Sequence, residues 1–225
     1  AQSNLTAFEF WSRLAMRFAL DYISGTRDPL SAPAPWYVLL EISSGETGGR
    51  AAAQLESLLV TASERELITD AVVASSLQQS RELWKLRESL SEAQKPAGGS
   101  IKHDISVPVA RIPEFLERAA PVVERVCPGA RPVPFGHFGD GNVHYNVTQP
   151  EGMDRESYIA LWQGMAHAVH ALASEMGGSI SAEHGIGRLK RDELPSHKSA
   201  VEMRLMRAIK QTLDPHGILN PGRVV

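Results

Sequence analysis

The sequence predicts an α+β fold, an antiparallel sheet with helices packed on it. Short runs rich in aromatic and β-branched residues alternate with amphipathic stretches of helical period. From about residue 100 their order is strand, helix, strand, strand, helix, strand, the split βαβ order of a ferredoxin-like unit. An Asp140-Gly141 step lies between two of the strand-like runs, a favoured hairpin turn that makes that pair antiparallel.

The elements follow in order. Residues 5–23 carry Leu5, Phe8, Trp11, Ala15, Phe18, Ala19 and Tyr22 at helical spacing, with Thr6 as N-cap, and are expected to form a helix. Residues 28–35, with three prolines, form a loop. The run 36–42 (WYVLLEI) is a buried strand, 45–49 a turn, and a helix follows to about residue 61. Residues 69–74 read as a second strand. A long amphipathic helix passes through Leu77, Leu83, Trp84, Leu86, Arg87 and Leu90. Ile101, His103, Ile105 and Val107 alternate with Lys102, Asp104 and Ser106, a strand with one buried face. Residues 111–126 are helical, with Pro113 in the first turn. After the strand pair around Phe135 and Tyr145, residues 154–176 form one long helix ended by Gly177-Gly178. A short glycine-punctuated stretch spans 179–188, and 199–213 is the last helix.

Composition limits the function classes. The 225 residues suffice for one large domain, and 43% apolar with 22% charged residues is ordinary for a globular chain. A net charge of -3 gives no field that would favour nucleic acid or an anionic membrane. Cys127 is the single cysteine, so no intrachain disulfide forms. No apolar run reaches a membrane-spanning length. The start is neither a signal nor a transit peptide and lacks an initiator Met, so it is read as a domain boundary.

The most informative segment is Gly136-His-Phe-Gly-Asp-Gly-Asn-Val-His144. With Asp140-Gly141 as a two-residue loop, His137 falls directly opposite His144, with Cβ atoms roughly 4.5–5.5 Å apart. Two imidazoles so placed can share a metal ion. Asn146 lies on the same face, two residues on. Glycines 136, 139 and 141 bring backbone close to the site. Ser181-Ala-Glu-His-Gly-Ile-Gly-Arg188 offers a carboxylate and an imidazole side by side. Glu183 is assigned as third ligand and His184 as a base acting on substrate. Two histidines and one carboxylate leave coordination positions open, as in a catalytic site, and suit Zn first, with Mn, Fe or Co as alternatives.

These two segments, with Asp214-Pro-His-Gly-Ile-Leu-Asn-Pro-Gly222, resemble the C-terminal domain of FAD-linked oxidases and dehydrogenases over essentially the whole chain. That family includes D-2-hydroxyglutarate dehydrogenase, D-lactate dehydrogenase and the glycolate oxidase flavin subunit. The resemblance implies metal ligands at His137, His144 and Glu183. It implies substrate contacts at Arg87, Ser91, Lys102, Asn146 and His184, the pattern of the D-2-hydroxyglutarate branch. Ser91 stands where that branch has Thr, so the hydroxyl is kept. Arg87 and Ser91 are four apart and share a helix face. Asn220 is implied to pack near the flavin.

The same resemblance implies FAD, bound mainly by an N-terminal domain that this chain lacks, since no dinucleotide-type glycine loop precedes a helix here. The expectation is therefore a fragment spanning the substrate and metal domain (1–225), inactive alone. The implied reaction is oxidation of a small D-2-hydroxy acid, with D-2-hydroxyglutarate favoured by two cationic side chains, and with an unknown electron acceptor. The alternatives are a D-lactate or glycolate dehydrogenase, and a non-catalytic metal- or ligand-binding subunit docking on a separate flavoprotein. The implied setting is cytoplasmic, or the mitochondrial matrix in a eukaryote, with a homodimer as the implied assembly and no nucleic acid or membrane span. Other features read as structural: His167 and His170 on their helix, His103 in the core, His197 and His216 at turns or on the surface, Trp84 and Trp162 in the core, and Arg188, Lys190 and Arg191 as a solvated cluster.

Overall fold

The computed structural model describes residues 4–45 and 49–225. Six strands form one antiparallel sheet: β1 (Leu5–Ser12), β2 (Trp36–Ile42), β3 (Ser100–Ile101), β4 (Asp104–Ser106), β5 (Arg131–His137) and β6 (Asn142–Thr148). Their order is β2-β1-β5-β6-β3, with β4 also on β6. The helices are α1 (Arg13–Tyr22), α2 (Arg50–Glu64), α3 (Leu77–Glu88), α4 (Leu90–Ala93), α5 (Ile112–Val126), α6 (Arg155–Ile159), α7 (Trp162–Glu175), α8 (Leu194–His197) and α9 (Ala200–Leu213).

The split βαβ order survives with a reduced last strand. Ser106 and Ser179 exchange two backbone hydrogen bonds, of 3.0 and 2.9 Å, as an isolated antiparallel bridge. That bridge sets the fourth segment beside the first, and β1 and β2 extend the sheet beyond β5.

Pairing divides the side chains between two faces with the period of two that a pleated strand imposes. Phe10, Ile105, Val143, Tyr145 and Val147 belong to one core with Phe115 of α5 and Met165 and Val169 of α7. Trp11, Val133 and Phe135 belong to a second core with α1 and with Leu86 and Leu90. Glu9, His137, His144 and Asn146 share the face of this second core, because Glu9 pairs with His137, His144 with Phe135, and Asn146 with Val133.

Several sequence expectations are corrected. Residues 5–12 are a strand, and the helix begins only at Arg13. Ser12, not Thr6, is the N-cap, accepting from the Ala15 amide at 3.3 Å. Strands on both sides, β2 and β5, satisfy this segment's backbone, and that pairing overrides its helical spacing. Residues 69–74 have no strand pairing. Val72 and Val73 are exposed, and Asp70 instead accepts from the amide and hydroxyl of Ser31. The 154–176 helix is broken between α6 and α7. Of the turn expected at 45–49, residues 46–48 lie outside those described. Trp162 is exposed, whereas Trp84 packs against the second core. No helix among the described residues is long and apolar enough to cross a membrane.

The hairpin between β5 and β6 also differs. Its loop is residues 138–141, so His137 pairs with Asn142 and His144 with Phe135. Phe138 is drawn to β1 instead: its amide donates to the Phe8 carbonyl at 2.7 Å, and its ring lies 4.4 Å from that of Phe10. The register has moved by two residues. An even shift preserves the face, so the two histidines remain on one side.

Candidate metal centre and cleft

His137 and His144 stand as diagonal neighbours on the hairpin, ring centroids 5.6 Å apart and nearly perpendicular. Glu183 reaches them from the irregular segment after Ser179. One donor atom from each of the three lies within 4.8 Å of the others, with His137 Nε2 3.3 Å from Glu183 Oε1. Ligands about 2.0–2.1 Å from a shared tetrahedral ion are roughly 3.3 Å apart, the separation of the His137–Glu183 pair, so these three residues are the ones that could hold a divalent metal.

Two carboxylates outside the expected set bind this group into the sheet. Glu9, buried on β1, sits opposite His137, with Oε2 2.7 Å from His137 Nδ1 and 2.9 and 2.8 Å from Arg87 Nε and Nη2. Burial acts to raise the Glu9 pKa, but the bonds to His137 and the Arg87 charge outweigh it and hold the carboxyl below its usual range. The Glu9 bond in turn raises the His137 pKa against the opposing effect of burial. The 2.7 Å contact places His137 Nδ1 to donate to Glu9, and Nε2 faces Arg87 Nη2 and Glu183.

Asp104, buried on β4, sits opposite His144. Its Oδ2 accepts from the amides of Glu183 and His184, each at 2.8 Å, and lies 3.7 Å from His184 Nδ1. Its Oδ1 is 3.8 Å from His144 Nδ1. Burial raises the Asp104 pKa, and the two amides with the neighbouring imidazoles reverse this to a net lowering. His144 itself is shifted down, chiefly by burial.

A cleft of about 1150 Å³ opens along the β3–β4 edge, beside α7 and the segment 184–193. Ser91, Lys102, Asn146 and His184 line it together with His144 and Asp104, so four expected substrate contacts share one cavity. The His184 ring is mostly exposed and lies 6.4 Å from that of His144. Arg87 is placed differently: buried behind His137, held by Glu9, with Nη2 3.3 Å from His137 Nε2 and its guanidinium 5.2 Å over the Phe135 ring. Asn220 is an exposed residue of the C-terminal turn, and Arg223, three residues on, borders the cleft.

His170 and His197 join through Glu193 in a second network, part of which borders the same cleft. Glu193 bridges His170 Nδ1 (2.9 Å) and His197 Nε2 (3.0 Å), and Ser174 Oγ is 2.7 Å from His197 Nδ1. His197 is thus a largely buried side chain, not a surface one. His103 is buried with Nδ1 2.6 Å from the Tyr145 carbonyl, and desolvation pushes its pKa down to about 4.

The sequence match decides which fold family this architecture belongs to. Residues 1–224 match the family of FAD linked oxidases, C-terminal domain. The chain belongs to that family. It is 37% identical over 224 residues to a D-2-hydroxyglutarate dehydrogenase of Xanthomonas citri pv. viticola, covering 100% of this chain and 46% of the relative. It is 38% identical to one from Stutzerimonas stutzeri, covering 98% and 47%. With the mitochondrial D-2-hydroxyglutarate dehydrogenase of Arabidopsis thaliana the identity is 36%, covering 98% and 38%. The chain thus spans less than half the length of these relatives. Among solved structures, p-cresol methylhydroxylase with substrate bound shares the fold at a TM-score of 0.61 and 16% identity, covering 97% of this chain and 46% of that one.

Sequence reasoning overlooked Glu9 and Asp104. Glu9 is a charge inside an apolar aromatic run, Phe8-Glu-Phe-Trp11, which is its signal once the run is read as a strand. Asp104 was assigned to the solvent face by alternation, but its strand ends at Ser106 and the 182–184 segment covers it.

Proposed function

We propose that the chain is the substrate- and metal-binding domain of a flavin-dependent D-2-hydroxyacid dehydrogenase that oxidises D-2-hydroxyglutarate to 2-oxoglutarate. One observation carries this reading: the His137, His144 and Glu183 donors converge beside a cleft whose wall holds Ser91, Lys102, Asn146 and His184. The relatives' shared name supplies the substrate class.

His137, His144 and Glu183 would hold a divalent ion, which supplies Lewis-acid polarisation of a 2-hydroxyl when bound. FAD, held by the remainder of the longer protein, supplies the hydride acceptor. Lys102 offers a point charge to a carboxylate, while Ser91 and Asn146 offer hydrogen bonds. Arg87 adds positive charge behind the ligand group. His184, held at its backbone by Asp104 and with its ring at the cleft, takes the hydroxyl proton.

The test uses the full-length flavoprotein. Kcat/KM should favour D-2-hydroxyglutarate over D-lactate, and His184→Ala should lower turnover on the order of 100-fold or more. A preference for lactate would move the assignment to the D-lactate branch. Turnover within a few-fold of wild type in His184→Ala would remove His184 as base.

A further inference from the structure

The two histidines share a feature that their roles as ligands do not require. Each faces a carboxylate at the directly paired position of its outer neighbouring strand: Glu9 on β1 against His137 on β5, and Asp104 on β4 against His144 on β6. The hairpin is flanked on both sides by the same arrangement. Both carboxylates lie on the buried side of the site, at 6% and 3% exposure, and both approach Nδ1 of their ring.

We propose that Glu9 and Asp104 are positioning residues that orient the two imidazoles, each accepting from Nδ1–H so that Nε2 keeps its lone pair for the metal, which at His137 would displace the Arg87 Nη2 contact of 3.3 Å. This rests on the metal reading above. A ligating imidazole that donates its other ring N–H to a carboxylate is held in one tautomer and one rotation, and becomes a better donor.

The Glu9 arm is formed: Oε2 is 2.7 Å from Nδ1, and Nε2 of the same ring is 3.3 Å from Glu183 Oε1. The Asp104 arm is more open, at 3.8 Å. Its geometry still points the same way. Asp104 Oδ2 is occupied by the amides of Glu183 and His184, whereas Oδ1 is buried with no hydrogen-bond partner among the described residues. A buried carboxylate oxygen calls for a donor. The nearby His144 Nδ1 can supply one after a small ring movement. Asp104 thereby links two ligands, fixing the backbone of Glu183 with one oxygen and the ring of His144 with the other. Glu9 holds one ligand, His137, and ties it to the buried Arg87 guanidinium on a single oxygen.

The experiment combines two readouts on the full chain. Imidazole ¹⁵N NMR of the metal-free protein reports which ring nitrogen of His137 carries the proton, and Zn²⁺ titration calorimetry reports affinity. The expected tautomer is Nδ1–H. Glu9→Ala should weaken Zn²⁺ binding about 10- to 100-fold. Glu9→Gln, whose amide oxygen still accepts from Nδ1–H, should recover most of that loss. Asp104→Asn keeps one oxygen for the two amides and loses the acceptor facing His144, so it separates loop anchoring from ring orientation. An affinity drop on the order of 10-fold is expected. Folded Glu9→Ala and Asp104→Asn variants that bind Zn²⁺ within threefold of wild type would overturn the proposal. So would an Nε2–H tautomer at His137 in the wild-type chain, which needs no variant to fold. Absence of Zn²⁺ binding in the wild type would instead overturn the metal reading, and the tautomer would still decide the orientation of the ring.

Discussion

Arg87 and Glu9 lie 78 residues apart and form a buried ion pair, with guanidinium Nε and Nη2 at 2.9 and 2.8 Å from one carboxylate oxygen. Breaking such a pair by removing one partner leaves an uncompensated buried charge. Arg87→Ala should therefore lower unfolding stability by roughly 3 kcal/mol in urea titration. The double variant Glu9→Gln with Arg87→Ala should regain part of that loss. An Arg87→Ala chain as stable as wild type would show that His137 alone suffices for Glu9. The result also governs how an activity loss at Arg87 is interpreted, since stability and substrate binding change together.

Ser12 ends β1 and caps α1. Ser12→Ala should cost about 1 kcal/mol, the usual loss of an N-cap. Thr6→Ala, on the exposed end of the strand, should stay within about 0.5 kcal/mol. The reverse ranking in denaturant titrations would favour a helix starting at residue 6.

Glycines 139 and 141 separate a tight position from an open one. At Gly141 φ is +89°, and an added Cβ would lie 2.2 Å from the Val107 carbonyl oxygen. At Gly139 a Cβ would meet nothing within 4 Å. Gly141→Ala should destabilise by about 2–3 kcal/mol from backbone strain and overlap. Gly139→Ala should be nearly neutral. Equal effects would argue against the 138–141 loop.

His103 should make stability depend on pH. Burial lowers its pKa from 6.5 to about 4 in the folded chain. The unfolded chain then binds more protons between those values. The associated stability is complete above pH 6.5 and is lost as pH falls toward 4, by roughly 3 kcal/mol at most. His103→Gln should give a flatter stability profile across that window. Parallel wild-type and variant profiles would exclude His103 as a contributor.

Much of the architecture was legible because it depends on local patterns. The strand at 36–42, the Pro113-bearing helix and the last helix were legible from composition and spacing, although 36–42 is an edge strand with Trp36 and Val38 exposed rather than a buried one. The capping box of Ser199 and Glu202 forms as such signals require. The helical reading of residues 5–12 fails because Phe8 and Trp11, three apart, share a helix face but take opposite faces of a strand, and β1 is buried on both faces between β2 and β5. The strand expected at 69–74 had the residues for one but no neighbour to pair with.

The site divides in the same way. By itself the sequence determined that His137 and His144 share a face, because strand side chains alternate with period two and a two-residue register shift leaves that parity intact. Motif resemblance also named Lys102, Asn146 and His184 as substrate contacts, and the structure sets all three in the wall of one cleft. Only the tertiary structure decided the exact register, the convergence of Glu183 from 39 residues beyond His144, and the burial of Glu9 and Asp104 behind the two rings. Those depend on which strands become neighbours, a long-range choice governed by packing and backbone pairing that no local spacing contains.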